Sequence, residues 1–399
     1  MSHPPSRPFE ALLLAALFAV AHTQGPLFYS NQNQYLLHGA ALAGDGHLAR
    51  DWLANTRDPT PLFSLLVAGA FALTPWLLQP AYFALLAGYF LAARRLAAAV
   101  PGVPDTRAAR VAWAALFTAA HAGVLRWASV ELVGVDYPWY FQAGVAAQYL
   151  LGPGLQPSAF GVLLLAAVAA FARGRVRLAC GLAAGTCWFH STYLLPAGLL
   201  VAGFAVETAR RDARAARAGA ALALAAVAPV VAFTAWRFDV FDPASAEAAR
   251  VLARVRIPHH CVPARWFDAA AGLQLAWAAL GLVLVRRTPF GRALAAAAAG
   301  GAALTAVQLA TAGDALALLF PWRISVLLVP VATAVGAAKL LAWRPPGTWG
   351  GRVAAGATLA LAAGGAVVTA GGLGYRTADE RELYEYVRAA AAADDVYLL

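Results

Sequence analysis

Apolar stretches long enough to cross a bilayer recur from one end of this 399-residue chain to the other. A hydrocarbon core about 30 Å thick takes a helix of roughly 20 apolar residues. Such runs fall at 9–25, 61–93, 109–126, 157–173, 177–189, 192–208, 217–236, 269–285, 293–311, 323–342 and 353–374. With 61% hydrophobic and 13% charged residues, a soluble fold would need buried helices almost everywhere. The sequence therefore predicts an all-α fold: a polytopic transmembrane bundle of about eleven spans with structured extracytoplasmic loops. Residues 1–374 form the transmembrane domain, and 375–399 an extracytoplasmic amphipathic tail that could begin a soluble domain.

The formal charge of +10 could be read as a nucleic-acid signal, but the arginines sit in alternate connections between spans. With Arg7, the connections at 94–110, 173–177, 210–217, 286–292 and 339–352 hold 18 of the 30 basic residues, against 4 of the 20 acidic ones on that side, Glu10, Asp105, Glu207 and Asp212. That leaves +14 on one side and −4 on the other. Short basic loops stay in the cytoplasm, so the N-terminus is expected inside, the C-terminus outside, and no nucleic-acid partner is needed. A single lysine, Lys339, among many Arg, Ala and Gly residues resembles the usage of a GC-rich bacterium, which makes the bacterial inner membrane the expected location.

Two segments strain this topology. The run 61–93 carries Pro75 and Pro80 and must cross once to keep the charge parity, as a re-entrant or tilted piece followed by a full helix. The first apolar run ends in Ala19-Val20-Ala21, like a cleavable leader, yet the long loop after it needs a helix to pack on, so the first helix is expected to be retained. Cys180, Cys187 and Cys261 give no disulfide framework, and no metal motif is readable.

Chemistry-bearing residues concentrate on the predicted outer side. The first loop, 26–60, holds Asp45, Asp51 and Asp58 with Arg50, Arg57, His38 and His47. In the second, Glu131 and Asp136 stand among Trp139 and Tyr140, and Gln142–Tyr149 is expected to be a half-inserted helix. His190 sits at a helix turn. The third loop carries Arg250, Arg254, Arg256, His259, His260 and Arg265, and an arginine fork suits a lipid phosphate or diphosphate. Arg323, between Trp322 and the next span, is expected to line a cavity within reach of Asp314.

Many helices, a long acidic first outer loop, later outer loops with Arg and His, the Pro321-Trp322-Arg323 boundary and a final RELYEYVR helix together resemble the GT-C superfamily of polyprenyl-phosphate-sugar-dependent glycosyltransferases. The segments NQNQYLLHG and DWLANTRDPTPLF are also similar to an uncharacterised group of bacterial multi-pass membrane proteins. The resemblance implies a first-loop carboxylate as general base, Asp51 with Asp45 in reserve. It also implies a polyprenyl-phosphate-linked sugar as partner beside the bilayer, bound by Arg256, His259, His260, Arg265, Arg323, Glu131 and His190. One departure stands out: where many GT-C enzymes carry an acid directly after the first helix, this chain has Asn31, Gln32, Asn33 and Gln34. No cofactor is assigned, although a divalent metal is compatible with the class. A transporter or flippase and a non-catalytic scaffold remain open.

Overall fold

The computed structural model describes residues 6–239, 242, 244–375 and 381–390. The side chains of Arg7 and Leu383, and the tail beyond 390, lie outside the described set. Among the described residues the regular structure is all helical, without strands. Six helices are long and apolar enough to cross a membrane, and a seventh if one bent pair is counted as a single span. Five shorter apolar helices accompany them. Large apolar side chains such as Leu224, Val231, Leu309, Leu359 and Val367 project outward from the long helices. So much exposed apolar surface marks a membrane protein rather than a soluble one.

The order is α1 (Ser6–His22), α2 (Pro61–Phe71), α3 (Leu78–Ala97), α4 (Arg107–Ala119), α5 (Gly123–Val133), α6 (Val162–Ala172), α7 (Val176–Phe189), α8 (Leu194–Ala209), α9 (Ala213–Arg237), α10 (Ala269–Val285), α11 (Pro289–Thr311), α12 (Ser325–Trp343) and α13 (Thr348–Gly371). Helix α12 is the hub, packing on α10, α3, α4 and α6. Its run of Val, Leu and Ala is apolar on every face, the pattern of a helix surrounded by other helices; Val326, Leu327, Val329, Ala334, Val335 and Ala338 are all fully buried. Phe18 of α1 is buried against Tyr89, Phe90 and Phe117, so the first helix is part of the core.

The body has two chemically distinct ends. At one, Glu10 meets Arg110 at 2.7 Å and Arg107 at 3.5 Å, the buried Glu207 pairs with Arg292, and Lys339 Nζ donates to the Pro101 carbonyl at 3.2 Å. This is the arginine-rich end. The other gathers aromatic rings and long connections. Thr23 and Tyr375 share a hydroxyl hydrogen bond of 2.8 Å, and Gln32 Nε2 donates to the Leu155 carbonyl at 3.0 Å. Tyr375, placed by the sequence at the head of the tail, thus belongs to the helical body.

The run 61–93 breaks into α2 and α3 at Thr74-Pro75, where proline removes a backbone donor. Phe71, at the end of α2, packs on Phe28 with ring centroids 6.2 Å apart, and the Gln79 carbonyl accepts from Gln24. Both sides of the break are therefore held to the chain just after α1. Helix α3 runs on to Arg94 and Arg95 in its last turn. Helices α4 and α5 meet at a 45° bend, where buried His121 lies between the Tyr89 hydroxyl at 2.9 Å and the Phe117 carbonyl at 2.8 Å.

Candidate functional site

The most unusual local structure is the stretch 143–156. The sequence leads one to expect a half-inserted helix over Gln142–Tyr149, but the helix stops at Gln142. Beyond it the backbone is irregular, and Ala143, Val145, Leu150, Leu151 and Leu155 are nonetheless buried. Ala146 and Ala147 sit at φ of 60° and 51°, a left-handed conformation that costs an L-residue about 1–2 kcal/mol. Irregular backbone at depth in a membrane protein survives only where protein covers it or where it lines a cavity. Gly144 allows this docking: a Cβ there would stand 2.5 Å from both Ser325 Oγ and the Val326 nitrogen. In return Ser325 Oγ accepts from the Val145 N–H at 3.0 Å.

Immediately before Ser325 stands Arg323. Phe320, at φ 50°, reverses the chain so that Pro321 opens a 3-10 turn, and the Arg323 N–H closes it on the Phe320 carbonyl at 2.8 Å. Arg323 is only 7% exposed, its guanidinium 4.9 Å from the Tyr193 ring centroid and 5.6 Å from that of Phe320. No carboxylate pairs with it among the described residues, and its Nε has no hydrogen-bond partner. Asp314, which the sequence places within its reach, is held instead by Arg254, whose Nε donates to the two carboxylate oxygens at 2.8 and 3.1 Å. Burying an unpaired charge is expensive, so the surroundings must supply electron density that the carboxylate does not.

Aromatic and orphaned polar groups supply it. The Tyr193 hydroxyl donates to the Ser158 carbonyl at 2.6 Å, which leaves its lone pairs for the guanidinium. The His190 ring packs on Tyr193 at 5.7 Å and on Tyr35 of the first loop at 6.2 Å. His190 is 9% exposed and its Nδ1 lacks a partner, as do Gln148 Oε1, Ser158 Oγ and Thr192 Oγ1. Burial holds the His190 imidazole well below its usual pKa, and the nearby Arg323 charge pushes the same way, so the ring is neutral beside a permanent cation. Burial raises the pKa of the Tyr35 hydroxyl, and the Arg323 charge opposes that rise. Buried polar groups normally find partners, so these unpartnered atoms set Arg323 and its neighbours apart from the rest of the packed interior.

A cleft of about 360 Å³ adjoins this cluster through Tyr149 and is lined by His22, Tyr29, Arg126, Asp136, Trp139 and Tyr375, among others. Arg126 donates to Asp136 through Nε at 2.9 Å and Nη2 at 2.7 Å, and its guanidinium lies 5.4 Å from the Trp139 centroid. Glu131 stands on the exposed rim.

The other sequence-derived candidates lie apart. Asp51 Oδ1 accepts from the Ala54 N–H at 2.7 Å, capping a turn of the first loop, and Asp58 Oδ1 does the same for Thr60 at 2.8 Å ahead of α2. Asp45 is exposed. In the third loop a π-helical turn, Leu252–Arg256, leads into two short helical turns. Arg256, His259 and Arg265 are exposed on this surface, and Arg250 is engaged by Glu247. His260 reaches inward, its Nδ1 2.6 Å from the Ala146 carbonyl, while its own carbonyl accepts from Trp322 Nε1 at 3.0 Å. The structure thus brings together Arg323, His190 and His260, and leaves Asp45, Asp51, Glu131, Arg256, His259 and Arg265 outside that cluster.

Sequence reasoning missed Tyr35, Gln148, Tyr149 and Ser158. The available signal was Gln148, Tyr149 and Gln156 interrupting an apolar, Gly-Pro-rich connection, and Tyr35 after the Asn-Gln run of the first loop. No grouping of His, Cys, Asp and Glu among the described residues is arranged to hold a metal ion. Compared with known proteins, the chain matches no family model, no curated protein and no solved structure.

Proposed function

We propose that this chain is an eleven-span protein of the bacterial inner membrane that binds a polyprenyl-phosphate-linked sugar on its extracytoplasmic side, with Arg323 on the phosphate, and transfers the sugar in the manner of GT-C glycosyltransferases. The observation that carries the reading is the buried, carboxylate-free guanidinium of Arg323 among unpartnered polar atoms. A phosphate oxyanion would satisfy Arg323 Nε, and the His190 and Ser158 side chains could donate to it. The span count holds if α2 lies along the outer end, α4 and α5 cross as one bent helix, and the shorter apolar helices cross with local thinning of the bilayer.

In this chemistry an acceptor hydroxyl attacks the anomeric carbon, the bond from that carbon to the phosphate oxygen breaks, and its electron pair leaves on the phosphate. Arginine stabilises the charge developing there. The hydroxyl proton goes to a carboxylate, Asp51 first and Asp45 second, both on the loop that also supplies Tyr35. General-base catalysis contributes about 10² to 10⁴ in rate. Asp51→Asn is therefore expected to lower transfer by about that factor while donor binding is kept, as measured with a radiolabelled lipid-linked sugar. One observation favours a transporter or flippase instead: among the described residues no carboxylate pairs with Arg323. Full transfer by both Asp51→Asn and Asp45→Asn would remove the first-loop base.

Sidedness has its own test. Cys261 is fully buried and its thiol is pushed up to about 12, by burial and then by Asp314, so it does not report on the surface as its loop position alone would imply. In a cysteine-free background, Ala264→Cys on the exposed third loop is expected to react with an impermeant maleimide in intact cells. Arg211→Cys, exposed at the arginine-rich end, should react only after lysis. The reverse pattern would invert the topology.

A further inference from the structure

At the arginine-rich end a second cavity of about 380 Å³ opens, lined by Arg94, Arg95, Arg110, Arg173, Asp105 and Trp113, among others. Its arginines come from separate parts of the chain: the end of α3, the start of α4 and the turn after α6. The local carboxylates are already committed. Glu10 takes Arg110 at 2.7 Å, Arg107 at 3.5 Å and Arg94 at 4.0 Å, and Asp105 takes Arg110 at 3.0 Å. Arg95 and Arg173 make no ion pair among the described residues and are exposed at the cavity mouth. Four arginines and one carboxylate, Asp105, thus line a concave site whose remaining wall includes Ala11, Leu91 and Val103.

The positive-inside rule alone explains arginines at this end, but it does not require a cavity. Arg175 and Arg177 satisfy it from the open surface next to Arg173 without lining the cavity. An unneutralised basic pocket between membrane helices, apolar on one side, has the chemistry that receives a phosphate headgroup while the lipid chains lie along the helices. Arginine favours phosphate by its planar fork of donors.

We infer that the cavity between α1, α3, α4 and the end of α6 binds a phosphate-bearing group, with Arg95 and Arg173 as the residues that close on it. The site is separate from Arg323 and does not depend on the sugar-transfer reading. An anionic lipid headgroup and free phosphate share the required chemistry, and the experiment separates them.

The purified full chain is titrated in detergent with short-chain phosphatidylglycerol, with short-chain phosphatidylcholine and with inorganic phosphate, following the melting temperature. Phosphatidylglycerol is expected to raise it and phosphatidylcholine to leave it unchanged. At about fivefold per arginine, R95Q/R173Q should weaken the apparent affinity by about 25-fold, whereas R175Q/R177Q should keep it. If inorganic phosphate gives the same rise with the same loss in R95Q/R173Q, the site stands with a soluble ligand. Equal losses in R95Q/R173Q and R175Q/R177Q would show only general attraction to anions and overturn the site, as would no response to either phosphate source. Both double variants alter exposed side chains, and an unchanged elution volume on gel filtration confirms that they fold.

Discussion

Arg323→Met is expected to abolish binding of a polyprenyl phosphate while leaving the melting temperature unchanged or higher. The two effects have one cause. With no ligand present, the guanidinium is a buried charge without a carboxylate, offset only by the Tyr193 and Phe320 rings and hydroxyl lone pairs. Replacing buried ionic groups by an apolar chain of similar volume is often neutral or stabilising by about 1–4 kcal/mol. With the phosphate bound, the same group would form a desolvated charge pair, and truncating one partner of such a pair costs about 2–5 kcal/mol, or about 30-fold and more in Kd. Arg323→Lys keeps the charge but loses the fork that takes two oxygens at once, so an intermediate loss is expected. Isothermal titration and thermal unfolding of the same preparations check both halves. Wild-type affinity in Arg323→Met would remove the anion site. Lost binding together with a large fall in melting temperature would make Arg323 a packing residue instead.

The second large effect concerns the framework rather than the site. Helices α1 and α13 approach so closely at Gly365 that an added Cβ would lie 2.3 Å from the Val20 carbonyl oxygen and 2.6 Å from Ala21 Cα. These are backbone atoms, and no rotamer change can move them aside. Small residues let membrane helices approach in this way, because packing rather than the hydrophobic effect holds them together. Gly365→Ala is therefore expected to destabilise by about 1–3 kcal/mol, the usual cost of overpacking. Gly356, on the same helix with nothing within 4 Å of its added Cβ, is the control. There alanine should be neutral or gain up to about 1 kcal/mol from helix propensity. Reversible unfolding in mixed micelles measures the difference, and equal stabilities of the two variants would mean that α1 and α13 do not pack as described.

How much was legible in the sequence depends on the range of the interactions. Each predicted span falls mainly on helix, with breaks inside 61–93 and 109–126, and six or seven helices are long and apolar enough to cross. Hydropathy over about 20 residues is a local property, and a helix satisfies its own backbone within the segment. The break in 61–93 was visible too, since Pro75 acts on its own neighbourhood. The site was visible only where one residue declared itself. Arg323 and His190 stood out as polar groups at helix ends, but their environment did not. Asp314, nine positions from Arg323, pairs instead with Arg254, which lies 60 positions away from it. The rings against the guanidinium come from Tyr193 and Phe320, on two separate connections.

Asp51 shows what its neighbours in sequence left out. Arg50 and Trp52 suggested a carboxylate held between a cation and a ring, whereas the contact its Oδ1 makes is with the Ala54 N–H in a local turn. The stretch 143–156 was unreadable for a related reason: its buried, left-handed backbone at Ala146 and Ala147 is held by Ser325 and by His260, from distant parts of the chain. Alone, this sequence determined that the chain is a bundle of apolar helices and which residues stand at its ends, since both depend on neighbours along the chain. Only the tertiary structure decided that a buried arginine goes without its acid and which rings enclose it, because charge neutralisation and desolvation act through space between segments that no local pattern relates.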